Sequence, residues 1–224
     1  MKSINVTMKN LLEIPRIASL PSSAADVVDV LDSLHVDFHS IDVVNWPNEY
    51  PCCPDAAFRI AWCPDGFLLH YKVTEQYVRA RYKEDNSDVW TDSCVECFIR
   101  NVDTDSYFNI ECNCIGTILV GMGAVGNRCR LTQDEMALVQ RWSSLGDVPF
   151  EERSDIASWE VALIVPSALF ARQPLRLEAG ATLCANFYKC GDELSVPHYI
   201  SWAPIAAEKP NFHRPDCFGR VVLS

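Results

Sequence analysis

Apolar and polar residues alternate with a period of two along much of this chain, the spacing of half-buried β-strands. In Tyr107-Phe-Asn-Ile-Glu-Cys-Asn-Cys114 the alternation sets Asn109, Glu111 and Asn113 on one face and Ile110, Cys112 and Cys114 on the other. Just before it, Val95, Cys97 and Ile99 point one way while Glu96 and Phe98 point the opposite way. These two runs predict strands that bury one face and display carboxylates, amides and aromatic rings on the other. Further strands are predicted at 57–62, 67–74, 117–120, 158–165, 182–188 and 219–223, with shorter runs near 40–44 and 77–81. Turn signals such as Cys63-Pro-Asp-Gly66 and the polar loop 83–88 separate them. Short strands in series with few helices predict an all-β antiparallel sandwich.

The period changes in Ser22-Ser-Ala-Ala-Asp-Val-Val-Asp-Val-Leu-Asp-Ser-Leu34, where Val27, Val28, Leu31 and Leu34 form a helical stripe that Ser22 or Ser23 can cap. Residues 1–40 therefore read as a short helical appendage packed on the sandwich, and 41–224 as the sandwich domain. Between them, the three prolines of Trp46-Pro-Asn-Glu-Tyr-Pro-Cys-Cys-Pro54 cannot donate to a ladder, which predicts a linker. The stretch 133–142 fits either a helix or a strand. Gly121-Met-Gly-Ala-Val-Gly126 has no βαβ unit around it and reads as a flexible loop.

Composition narrows the partners. Nineteen basic against 30 acidic residues give a net charge of −11, which repels phosphate backbones and excludes nucleic acid as an expected partner. No apolar run approaches the ~20 residues of a spanning helix, so no membrane partner is expected. The first residues lack the apolar stretch of a secretory signal, which predicts a cytoplasmic location, or a secreted or periplasmic one if the terminus is processed. The cysteine count, 11, is odd for a disulfide framework, and Cys97, Cys112, Cys114 and Cys184 sit where small core residues would serve.

The candidate chemistry is carried by tryptophans and carboxylates. Cys94-x-x-Cys97 lacks a second metal-ligand pair, and strand alternation sends its sulfurs to opposite faces. Trp62 and Trp159 lie inside predicted strands and read as core, and Trp46 as a pin for the linker. Trp90 stands between a polar loop and a strand, at a sheet edge. Trp202 lies in the loop-like passage His198-Tyr-Ile-Ser-Trp-Ala-Pro204. Two such indoles can clamp a pyranose ring while carboxylates and amides take its hydroxyls. The competing reading is a glycoside hydrolase using two of Asp92, Glu96 and Glu111 as its acid and base, and a third is a protein-interaction module.

The series Trp90-Thr-Asp-Ser-Cys-Val-Glu96, Tyr107-Phe-Asn-Ile-Glu111, Asn186-Phe-Tyr-Lys189, Ser201-Trp202 and Phe212-His-Arg-Pro-Asp-Cys-Phe-Gly219 resembles the family 9 carbohydrate-binding modules of the DOMON-like β-sandwich group, over roughly residues 40–224. The resemblance implies an immunoglobulin-like or jelly-roll-like sandwich that binds a mono- or oligosaccharide without catalysis, characteristically at its reducing end. It matches Trp90 to the first sandwiching indole, Glu96 to the hydroxyl-binding carboxylate and Trp202 to the second indole. Asn109, Glu111, Asn186 and Lys189 become additional polar contacts, and His213 and Arg214 belong to the same motif. It also implies structural calcium (Ca2+), for which residues 85–88, Asp103 and Asp105 are the acidic segments on offer. Some relatives bind haem, for which His70 and Met122 are the ligand types present.

Overall fold

The computed structural model describes residues 11–224. Its strands are, in chain order, β1 (Leu11–Ile14), β2 (His39–Ser40), β3 (Val43–Val44), β4 (Asp55–Cys63), β5 (Gly66–Glu75), β6 (Val78–Ala80), β7 (Cys94–Asn101), β8 (Tyr107–Asn113), β9 (Ile118–Ala124), β10 (Asn127–Arg130), β11 (Gln140–Ser143), β12 (Phe150–Arg153), β13 (Ala157–Pro166), β14 (Thr182–Cys190), β15 (Tyr199–Ser201) and β16 (Gly219–Leu223). Two short helices, α1 (Val27–Ser33) and α2 (Gln133–Met136), accompany them.

Most of the strands form the two layers of a β-sandwich, while β6 and β12 pair with each other apart from them. The larger sheet has the order β1-β16-β14-β7-β8-β9-β10, with β15 and β3 extending from β14, and the smaller has the order β11-β13-β5-β4-β2. Pairing between strands is antiparallel except for β1 with β16. The inward faces are the apolar halves of the period-two pattern. Phe58 and Trp62 of β4 and Leu69, Tyr71 and Val73 of β5 meet Val95, Cys97, Ile99, Phe108, Ile110 and Phe187 from the other sheet. Phe58 and Phe187 stack with ring centroids 3.6 Å apart, closing the layers on one another. Each such buried side chain contributes about 1.5–3 kcal/mol.

A helix covers the outer face of the smaller sheet. Ser23 caps a 3-10 turn at Ala24–Asp26 by accepting from the Ala25 amide, and α1 then sets Val27 and Leu31 on Ala61, Leu68 and Ala162. Arg59 is buried below it and donates to Asp32 at 2.6 Å and to His70 Nδ1 at 2.9 Å, while His70 Nε2 meets Glu160 at 2.9 Å. Residues 11–14 do more than the appendage reading expects, because they add a strand to the edge of the larger sheet.

The glycine-rich stretch 121–126 is not a free loop. It completes β9 and turns into β10, which is four residues long and mostly exposed, with no apolar alternation to announce it. The ambiguous stretch 133–142 contains both alternatives in turn. Thr132 and Glu135 form a capping box that starts α2, and β11 follows after one turn.

On the outer face of the larger sheet, the passages 45–50 and 203–218 fold over Phe98, Tyr188 and Cys190. Trp46 fixes the first of them by donating from Nε1 to Ala207 O at 2.8 Å. All 11 cysteines are free. No described helix is long and apolar enough to cross a membrane.

Candidate ligand-binding site

The outer face of the larger sheet is left open at one place. There β7, β8 and β9 present Glu96, Phe98, Asn109, Glu111, Leu119 and Gly121 to a cavity of about 450 Å³. This lies within the roughly 300–1,000 Å³ of small-molecule sites. Trp90 stands on one side, Tyr199 comes from β15, Phe212 and His213 come from the covering passage 203–218, and Arg128 and Arg130 come from β10. The polar floor follows from the alternation that buries Val95, Cys97, Ile110 and Cys112 on the opposite side of the same strands.

Trp90 is positioned by a buried network. It sits in a 3-10 turn, Val89–Thr91, immediately before Asp92, which is fully buried. The Asp92 carboxylate accepts from Arg79 Nε at 3.2 Å, from the Arg81 amide at 3.0 Å, from the Tyr82 amide at 3.2 Å and from Asn113 Nδ2 at 3.1 Å. Arg79 also donates to Thr91 O at 2.6 Å, so the turn is tied from both ends. The half-buried indole thus projects from a fixed backbone, with the Arg130 guanidinium 5.8 Å from its ring centre. With its oxygens taken up in this way, Asp92 supports the site from behind and is not free for acid–base work.

The floor is dense in acidic groups. Glu96 and Glu111 are direct partners across the β7–β8 ladder. Asn109 Nδ2 donates to Glu111 Oε1 at 2.7 Å, while Glu111 Oε2 is buried with no hydrogen-bond partner. Cys190 Sγ donates to Glu96 Oε1 at 3.1 Å. Burial, reinforced by the Glu111 charge, pushes the Glu96 carboxyl well above its ordinary range. Burial raises Glu111 to about 7, opposed by the Asn109 hydrogen bond and by Arg130 and Arg128. Asp192 at the cavity wall is raised to about 6 by burial.

Close packing sets the remaining geometry. The Arg128 guanidinium lies 3.8 Å from the Tyr107 ring centre and donates to Asn109 Oδ1. Tyr107 OH meets His213 Nδ1 at 2.7 Å, and burial with the Arg128 charge lowers His213 to about 4, so the imidazole is neutral at neutral pH. Gly121 makes room for Asn109, because a Cβ at position 121 would come within 2.5 Å of Asn109 Oδ1. Tyr188 and Phe212 stack at 4.2 Å and hold the loop that carries His213. Arg214 braces that loop, donating to Ala206 O at 2.6 Å and pairing with Asp216 at 2.7 Å.

Of the residues singled out in the sequence, Trp90, Glu96, Asn109 and Glu111 meet in this cavity, whereas Asn186, Lys189 and Trp202 do not reach it. Asn186 is on the outer face but is consumed by the covering chain, donating to Ala203 O at 3.0 Å and accepting from the Ala203 amide at 2.9 Å. Lys189 falls on the inward face with Phe187. There its Nζ lies 2.9 Å from Glu75 Oε2 and 2.8 Å from His198 Nε2. Trp202 packs inward against Phe58 and Phe187, with centroid distances of 6.2 and 5.9 Å. Period two counted on from buried Ile200 assigns Trp202 to that inward face. The residues that reasoning missed are Arg128 and Arg130, on an unannounced strand, and Tyr199, Phe212, Cys190 and Asp192.

The acidic segments do not fit a calcium cage. Asp85 is paired with Arg141 at 2.6 Å, Asp88 with Arg130 at 3.1 Å and Asp103 with Arg176 at 2.5 Å, while Asp105 is exposed. Nor do His70 and Met122 share a haem pocket. His70 is locked between Arg59 and Glu160 on the smaller sheet, and Met122 packs against the core from the larger one.

Comparisons with known proteins bear on the fold and the family. A crystal structure of a Bacteroides uniformis protein, whose carbohydrate-binding role is itself an assignment, superposes with a TM-score of 0.92 at 41% identity, covering 96% of this chain and 99% of the other. A family 9 carbohydrate-binding module of Caldicellulosiruptor kristjanssonii shares the fold in two solved structures. In complex with cellotriose the TM-score is 0.59 at 14% identity, covering 95% of this chain and 93% of the module. In complex with glucose it is 0.59 at 12% identity, covering 96% and 95%. A search of curated proteins found no match. The sequence itself matches carbohydrate-binding family 9 over residues 25–223, and the chain belongs to that family.

Proposed function

We propose that the cavity binds a saccharide without transforming it, stacking one sugar ring on Trp90 and holding its hydroxyls through Glu96, Asn109 and Glu111. The observation that carries this reading is the convergence of an indole, two carboxyls and an amide on one cavity, with Glu111 Oε2 buried and lacking a partner. A buried oxygen without a hydrogen bond costs about 1–3 kcal/mol, which a sugar hydroxyl donating to it would recover. Tyr199 and Phe212, rather than a second indole, offer the facing apolar wall. Family membership and the glucose and cellotriose complexes of the Caldicellulosiruptor module support the same ligand class. Calorimetric titration with common mono- and disaccharides, each beside its reduced alditol, tests it. Heat with a sugar but not with its alditol identifies reducing-end recognition, and no heat with any of them removes the proposal.

One observation favours a second reading. Two carboxyls with elevated proton affinity side by side are also the ingredients of a glycoside hydrolase. Here both stand on the same floor as cross-strand neighbours and Asp92 is engaged elsewhere, which leaves Asp192 at the cavity wall as the remaining carboxyl such an enzyme would have to use. Release of the aryl alcohol from aryl glycosides, abolished by Glu96→Gln, would establish the hydrolase instead.

A further inference from the structure

At the cavity floor, the Cys94 and Cys190 thiols and the Glu96 carboxylate bring their ligand atoms within 4.8 Å of one another, all three residues being buried and two of them, Glu96 and Cys190, lining the cavity. The sheet fixes this meeting. Cys94 and Cys190 are direct partners across β7 and β14, and Glu96 follows Cys94 by two residues, hence on the same face. Among the described residues no other set of three such ligands converges in this way.

Two thiolates with a carboxylate suit zinc. Bonds of about 2.3 Å to sulfur and about 2.0 Å to oxygen place tetrahedral ligands roughly 3.5–3.8 Å apart. Atoms already within 4.8 Å reach that spacing by small side-chain rotations. A second observation lies directly across the ladder, where Glu111 Oε2 is buried, unpartnered and part of the cavity lining. A water or hydroxyl on the ion would offer that oxygen a hydrogen-bond donor.

We propose that Cys94, Cys190 and Glu96 form a zinc site with its fourth position open to the cavity. On binding, Zn2+ forms bonds to both sulfurs and the two thiol protons pass to solvent, together with the carboxyl proton where Glu96 carries one. A hydroxylated ligand in the cavity can then complete the coordination shell. The metal site shares Glu96 and Glu111 with the saccharide reading, but its three ligand atoms meet without a sugar and its test is read in the absence of one.

The full-length protein, reduced with a phosphine and stripped with a chelator, is titrated with Co2+ in the absence of sugar. The expected result is saturation at one equivalent, with sulfur-to-cobalt charge-transfer absorption and tetrahedral d–d bands that Zn2+ displaces. Cys94→Ser and Cys190→Ser should each abolish the sulfur band. Glu96→Gln should keep it but weaken affinity by at least about 10-fold, the scale on which even supporting residues act. The double variant Cys52→Ser/Cys53→Ser controls for the two adjacent thiols nearer the surface and should leave the band unchanged. Absence of a thiolate band in the wild-type protein overturns the site, as does a band lost only in the Cys52/Cys53 variant. Near-UV circular dichroism checks each variant, and should the serine variants not fold, the wild-type titration and Glu96→Gln decide the matter. Sugar titration in chelator is a separate measurement, so failure of one proposal is not read as failure of the other.

Discussion

Glu96 and Glu111 face each other directly across the β7–β8 ladder with 3% and 4% of their surfaces exposed. Like-charge partners opposite one another on a sheet destabilise it, and burial adds to the cost of ionising either. The fold therefore favours their protonated forms. The stability this pair contributes should be fully present below the ordinary carboxyl value of 4.5 and decline as pH rises through the Glu111 value of about 7. The span corresponds to at most about 3 kcal/mol. Urea denaturation at pH 5 and pH 8 measures the decline, and Glu111→Gln, which cannot ionise, should flatten it. An equal slope in the two proteins would refute this origin.

Trp90 projects its ring from a turn whose backbone is fixed by Asp92 and Arg79. Trp90→Ala should therefore weaken saccharide binding by about 2 kcal/mol or more, as loss of an aromatic anchor does, and leave the far-UV circular dichroism spectrum unchanged. Calorimetry with the best-bound sugar reads the first effect. Full retention of affinity would move the ligand away from this wall.

Gly121 is the clearance for Asn109. In Gly121→Ala the new methyl group would meet Asn109 Oδ1 at 2.5 Å and force it from Glu111 and Arg128. Sugar affinity should fall roughly 10-fold, with a stability cost of about 1–3 kcal/mol from overpacking. Unchanged affinity in the folded variant would show that Asn109 does not contact the ligand.

Lys189 and Trp202 act on stability rather than binding. Lys189→Met strands the buried Glu75 carboxylate and should cost about 3–5 kcal/mol in chemical denaturation. Adding Glu75→Gln should restore part of it. Trp202→Ala opens the core beside Phe58 and Phe187 and should also be destabilising, by about 3 kcal/mol. In each folded variant the sugar affinity should equal that of the wild type.

The alternation of residues 93–100 and 107–114 was legible because those strands are long and one face is fully apolar. From it alone Glu96, Asn109 and Glu111 fall on a common polar face, beside Trp90. The same rule places Lys189 and Trp202 inward, counted on from Phe187 and Ile200. A charged group on a core face and an indole in a loop-like passage made motif matching the stronger guide there. Arg128 and Arg130 were not legible, since β10 is short, exposed and polar, and only pairing with β9 makes it a strand. Tyr199 reaches the site from the short strand β15, and Phe212 and His213 through the path of the covering chain, whose course over the sheet no local pattern encodes.

The pairing of β1 with β16 brings Leu11 beside Arg220. Trp62 reinforces the junction by donating from Nε1 to Ser224 O at 3.1 Å, and Ser224 Oγ donates to Ile14 O at 3.0 Å. β16 is also the strand that joins β1 to β14. This edge joins segments that lie far apart along the chain, so it forms only after the long intervening loop has closed. Such dependence on distant pairing belongs to the millisecond-to-second regime of folding. Stopped-flow refolding followed by tryptophan fluorescence should accordingly contain a slow phase that deletion of residues 219–224 removes along with the native signal.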